Sequence, residues 1–97
     1  GGSLFVKGRF GLDFINHPDR LKNPLIRRKK GEPLTEATWE EAVDFVAKKL
    51  AAITKKHGPD SVAGFSSARC TNEENYLFQK FMRAVIGTNH VDHCARL

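Results

Sequence analysis

Apolar and polar positions alternate with a helical period over one long stretch of the chain. Trp39, Ala42, Val43, Val46, Leu50 and Ile53 recur at three- and four-residue steps, while Glu40, Asp44, Lys48, Lys55 and Lys56 fall mostly elsewhere. Thr38-Trp39-Glu40-Glu41 fits a capping box, in which a hydroxyl accepts a first-turn amide and a glutamate reaches back. Acids gather at the start and lysines at the end, as the helix dipole favours, and Gly58-Pro59 stops the run. The pattern predicts a helix over 38–57, with Trp39 and the phenylalanines of the helical runs in the core.

Ser61-Val62-Ala63-Gly64-Phe65-Ser66 is a short apolar run between turn residues and reads as a buried strand. Thr71-Asn72-Glu73-Glu74 is a second capping box. After it Tyr76, Leu77, Phe78, Phe81, Met82, Val85 and Ile86 cover more than half of a helix that Gly87 would end. A helix apolar on so many sides expects several neighbours, and its exposure in isolation predicts self-association. Val91 begins another extended segment. The first third lacks a sustained period: Lys7-Gly8-Arg9-Phe10-Gly11 and Gly31-Glu32-Pro33 are turns, with an extended piece at Pro24-Leu25-Ile26 between them. The fold class is therefore α/β, an incomplete Rossmann-like layer of two helices around a short strand, preceded by a loop-rich segment, with a mainly parallel sheet expected.

Composition narrows the function classes. With 97 residues, 40% hydrophobic and 28% charged, the chain is one globular domain at most rather than a disordered one. No apolar run reaches the roughly 20 residues of a membrane span, and no signal peptide is evident, so a cytoplasmic protein is expected. Two cysteines, Cys70 and Cys94, are too few for a disulfide scaffold and read as free thiols. The net charge of +5 comes largely from Arg27-Arg28-Lys29-Lys30 and from Lys48, Lys49, Lys55 and Lys56. Such runs are usually solvated faces, with attraction to polyanions as the functional alternative. Nucleic-acid binding is poorly served: the helix over 72–86 sets only Lys80 and Arg83 against Glu73 and Glu74.

Chemistry concentrates in two places. The loop from Ser66 to Asn72 follows a strand and precedes a helix, where α/β folds bind ligands, and its amides with Arg69 would suit a phosphate. No GxGxxG or Walker pattern is present. Cys70 beside a helix N-terminus and Arg69 has the setting of an activated nucleophile, but with no His or acid partner to assign, a structural or cofactor-lining thiol is the better reading. His90, His93 and Cys94 form a compact group with too few ligands for zinc.

These stretches together resemble a known family. Lys7-Gly8-Arg9-Phe10-Gly11, Pro24-Leu25-Ile26-Arg27, Thr38-Trp39-Glu40-Glu41-Ala42, Ser66-Ser67-Ala68-Arg69-Cys70-Thr71-Asn72-Glu73-Glu74-Asn75-Tyr76 and Ala84-Val85-Ile86-Gly87-Thr88-Asn89 through Asp92-His93-Cys94-Ala95-Arg96 are similar, in order, to the N-terminal region of formate dehydrogenase catalytic (alpha) subunits. The resemblance implies two-electron oxidation of formate to carbon dioxide at molybdopterin guanine dinucleotide carrying Mo or W, with electrons leaving through a 4Fe-4S cluster. It implies that Lys7 is the relay between cluster and pterin, and that Arg69, Cys70, Thr71, Asn72 and Asn75 line the cofactor. Residues 1–33 would be the tail of the cluster domain and 34–97 the start of the cofactor domain. The implied partners are the rest of the alpha subunit and its electron-transfer subunits, with no membrane segment and no nucleic acid.

Two positions depart from the family, and one of its ligands would fall past the last residue. Phe5 stands where the family has a cluster-ligating cysteine, and the metal-ligating cysteine or selenocysteine would follow Leu97. His90 replaces a more usual asparagine. The expectation is a chain that is inactive alone and holds neither inorganic centre. The competing expectation is a stand-alone binding or assembly module derived from the enzyme, and a basic nucleic-acid-binding domain stands behind it.

Overall fold

Residues 11–95 are described by a computed structural model. They divide after Ala42 into two compact units. The first begins with a 3-10 helix, Gly11–Asn16, followed by a turn in which the amide of Asp19 donates to His17 Nδ1 at 3.1 Å. Two short strands, β1 (Leu25–Ile26) and β2 (Thr35–Glu36), then pair antiparallel, with Leu25 opposite Glu36 and Ile26 opposite Thr35. The Ala37 amide donates to the Pro24 carbonyl at 2.9 Å and extends the ladder by one bond. Ile26 is the buried apolar side chain of this unit, and the hairpin loop carries Arg27-Arg28-Lys29-Lys30 exposed.

Helix α1, Trp39–His57, starts as its sequence dictates. The Glu41 amide donates to Thr38 Oγ1 at 3.2 Å, and the Thr38 amide donates to Glu41 Oε2 at 2.9 Å, completing the capping box. An Asp44–Lys48 pair at 2.8 Å adds one turn of surface electrostatics. The expected burial of its apolar stripe is only partial, with Ala42 and Leu50 half-buried. Trp39 is 71% exposed, and Val43, Val46 and Ile53 are exposed as well. Periodicity tells a helix which face is apolar, but cannot supply the element that covers it.

In the second unit a 3-10 turn, Pro59–Ser61, leads to strand β3, Gly64–Ser66. Strand β4, Val91–His93, lies parallel to it, with Gly64, Phe65 and Ser66 opposite Val91, Asp92 and His93. Parallel pairing needs a crossover, and helix α2 supplies it. This helix runs Asn72–Lys80 and continues as a π-helical segment, Phe81–Ile86. Thr71 caps it reciprocally with Glu74. At its end the amides of Gly87 and Thr88 both donate to the Met82 carbonyl, at 2.9 and 3.0 Å, and Gly87 takes a left-handed φ of 91° that a side chain would oppose.

The packing centre of this unit is small and specific. Met82 is 3% exposed, and a Cβ placed on Gly64 would meet Phe78 Cζ at 2.6 Å and Met82 Cε at 3.2 Å. The strand therefore approaches the helix as closely as it does because residue 64 has no side chain. Thr88, 2% exposed, donates to Asp60 Oδ1 at 2.9 Å and accepts from the His90 amide at 3.2 Å. Those bonds tie the entry of β3 to the entry of β4. Phe65, expected in the core, is 80% exposed on the sheet face opposite Gly64. The described residues thus form an α/β arrangement with two small sheets.

Candidate functional site

The β3–α2 loop and the end of β4 meet at the C-terminal edge of the parallel pair. Parallel strands end on the same side, so the last residues of both, Ser66 and His93, are register partners. Ser66 Oγ hydrogen-bonds to Asn75 Oδ1, and Asn75 Nδ2 donates to the Ser67 carbonyl at 3.1 Å. Asn75 therefore braces the loop from the first turn of α2. Within the loop the amides of Arg69 and Cys70 fold back onto Ser67, donating to its Oγ at 3.2 Å and to its carbonyl at 3.1 Å.

This geometry sorts the candidates from the sequence. Thr71 and Asn75 spend their side chains on the helix cap and on the loop, so they hold the loop in place. Arg69, Cys70 and Asn72 are exposed at the same helix end. The capping box occupies the Glu74 amide, which leaves the amides of Asn72 and Glu73 as first-turn donors without an intrahelical partner. A guanidinium and open helix amides on one rim present positive charge and hydrogen-bond donors of the kind that suit an anionic group. Lys7 and Phe5 lie outside the described residues.

The group His90, His93 and Cys94 does not converge. His90 Nε2 faces Asp60 Oδ1 at 3.5 Å, and His93 Nδ1 accepts from the Ala95 amide at 3.1 Å. Cys94 Sγ instead reaches the loop, accepting from the Ala68 amide at 3.2 Å and lying 3.6 Å from Ser67 Oγ. These donors stabilise the thiolate, the Ala68 amide most and the Ser67 hydroxyl next, with a smaller contribution from the Arg69 charge. Together they hold the Cys94 thiol below its ordinary value. No cluster of three metal-ligating side chains occurs among the described residues.

Beside the loop lies a cavity of about 260 Å³ lined by Ser66, Asn75, Gln79, Arg83 and residues of β4. Gln79, Arg83 and the Cys94 contact are not among the site residues expected from the sequence, where Arg83 counted only as a helix charge. The first two were visible as polar residues four apart after Asn75, a stripe on an otherwise apolar helix. The third depends on strand pairing and carries no local signal.

The strand-loop-helix rim lies at the edge of a parallel pair in an α/β segment, and comparison with known proteins assigns the family. The Molybdopterin oxidoreductase family profile matches residues 20–97, and the chain belongs to that family of oxidoreductases. It is 52% identical over 101 residues to formate dehydrogenase H of Escherichia coli (strain K12) and 54% identical over 96 residues to F420-dependent formate dehydrogenase 1 subunit alpha of Methanococcus maripaludis. It is 52% identical over 96 residues to the probable oxidoreductase YjgC of Bacillus subtilis (strain 168). Each alignment takes in 99% of this chain but only 14%, 13% and 10% of the respective relative. No helix among the described residues is long and apolar enough to cross a membrane.

Proposed function

We propose that this chain acts as a segment of a formate dehydrogenase-like catalytic subunit, which oxidises formate to carbon dioxide and passes two electrons onward. The observation that carries this reading is the identity of 52% and 54%, over almost the whole chain, to two formate dehydrogenases. In this reading residues 1–33 end an iron-sulfur domain and residues 34–97 open a Rossmann-like cofactor domain, whose remaining strands and helices belong to the rest of the subunit. The molybdopterin guanine dinucleotide, with Mo or W, supplies the two-electron acceptor when bound. Arg69 and the open amides of Asn72 and Glu73 bind its anionic part, Cys70 lines it, and Thr71 and Asn75 keep the loop shaped to receive it. In the same reading Lys7 would serve as the electron relay between the pterin and a 4Fe-4S cluster, its ammonium offsetting their negative charge. In this reading the ligands of both inorganic centres come from the rest of the subunit, and the 97 residues alone would be inactive. Electron-transfer subunits, and a cytoplasmic setting, belong to the same reading.

The test compares the complete subunit containing this segment with the 97-residue chain. Formate-dependent dye reduction and bound metal are expected in the first and absent in the second. A metal-loaded complete subunit that ignores formate but reduces the dye from another donor would overturn the substrate assignment. Arg69→Ala in the complete subunit is expected to lower the ratio of extracted pterin to protein; an unchanged ratio would remove Arg69 from the site.

A further inference from the structure

The two cysteines of this chain lie on either side of one turn. Cys94, at the end of β4, places its sulfur on the Ala68 amide and beside Ser67 Oγ. Cys70 closes the same turn, its amide donating to the Ser67 carbonyl at 3.1 Å. A turn of that kind brings its first and fourth Cα atoms within about 7 Å. The Cys94 sulfur thus sits on the turn that Cys70 ends, two residues from the Ala68 amide, although 24 positions separate Cys70 from Cys94 in the chain. Both thiols are free and exposed, whereas unpaired cysteines are more often buried. Cys70 also precedes the Thr71 cap, so moving it leaves the hydrogen bonds of α2 intact.

We propose that Cys94 and Cys70 are an oxidisable dithiol, which a peroxide converts to an intramolecular disulfide joining the β3–α2 loop to the end of β4. Cys94 sulfur attacks one oxygen of hydrogen peroxide, the O–O bond breaks, and the departing hydroxide takes a proton and leaves as water. Cys94 is then a sulfenic acid, oxidised by two electrons. Cys70 sulfur attacks the Cys94 sulfur, the S–O bond breaks, and the proton of Cys70 leaves with the hydroxide as a second water. Two thiols and one peroxide give one disulfide and two waters. The amide and hydroxyl donors around Cys94 sulfur favour the thiolate that begins the sequence, which makes Cys94 the attacking residue and Cys70 the resolving one. The disulfide would fix the rim on which the cofactor candidates sit, yet its formation requires no cofactor and no formate chemistry.

The 97-residue chain contains just these two cysteines, so its products are unambiguous. Treatment with one equivalent of hydrogen peroxide is expected to lower the mass of the monomer by about 2 Da. Peptide mapping is expected to find Cys70 linked to Cys94. The reaction should slow about tenfold in denaturant, where the effective concentration of the two thiols is lost. Cys70→Ser should stop at sulfenic acid on Cys94, trapped by dimedone, while Ser67→Ala should slow the first step and leave a disulfide as the product. Disulfide-linked dimers as the main product, over-oxidation of Cys94 with Cys70 still free, or an equal rate in denaturant would each overturn the proposal. Because the readout is mass and linkage, its failure leaves the formate reading untouched, and the failure of that reading leaves this one standing.

Discussion

The two helices of this protein invert the usual relation between pattern and packing. Helix α1 has 19 residues, a regular apolar stripe, a complete capping box and a surface ion pair, and it buries no residue. Helix α2 with its π-helical end is shorter, yet it carries Met82 and Phe78 against Gly64 and joins both parallel strands. Amphipathic spacing and caps determine where a helix forms. Stability comes from the partner surface, which buries Met82 beside α2 but leaves every α1 residue exposed or only partly covered.

Substitutions at the contact of α2 with β3 probe the packed side of this contrast. Met82→Ala removes the most buried apolar side chain of the described residues, and about 2–4 kcal/mol of unfolding free energy is expected to go with it in urea titrations. Gly64→Ala pushes a methyl into the Phe78 ring, and about 1–3 kcal/mol should be lost. A smaller effect divides the two helices more sharply. Thr38→Ala and Thr71→Ala remove equivalent cap bonds, so each should lower helicity by circular dichroism. The Thr71 change alone should cost about 1 kcal/mol of cooperative stability, because its helix is joined to the sheet. Equal costs at both sites would show that α1 is coupled to the core after all.

At the bottom of the scale, Val46→Ser on the exposed stripe should leave stability within about 0.5 kcal/mol. The same change should weaken self-association in sedimentation runs over a range of concentrations. A chain monomeric throughout, with or without the substitution, would show that the stripe is not sticky in isolation. The Cys94 thiol gives a comparison of another kind. Its folded value is depressed, so the folded chain is thiolate at pH values where the unfolded chain is still protonated. Any stability the group contributes is present above the unfolded value and is lost as pH falls through the folded one. Iodoacetamide labelling at Cys94 should therefore reach half its maximum at lower pH in the folded chain than in denaturant.

Much of this architecture was legible because its determinants are local. Thr38 with Glu41 and Thr71 with Glu74 each sit three residues apart, and Gly87 follows directly on its helix, so the caps and the stop could be read from short words. The parallel arrangement followed from the alternation of elements. What could not be read were contacts that exist only once β3 and β4 are in register. Thr88 meets Asp60 across 28 positions, and Cys94 meets Ala68 across 26. Likewise the π-helical turn at Phe81–Ile86 has no compositional mark, since it widens a helix without changing which residues favour one. The expected burial of Trp39 and Phe65 failed for the opposite reason. Their apolar character is plain, but burial is a property of neighbours.

The pairing of Gly64 with Val91 also carries information about time. These partners are 27 residues apart, and closing a flexible loop of that length costs about 3 kcal/mol before any contact rewards it. Once α2 has formed, the intervening segment is a stiff rod with its own caps, and far less of it remains to be ordered. The sheet is therefore expected to form last, with the helix as its template. On a ribosome, β3 would wait unpaired until residues 91–93 emerged, its exposed phenylalanine at position 65 open to whatever else was nearby.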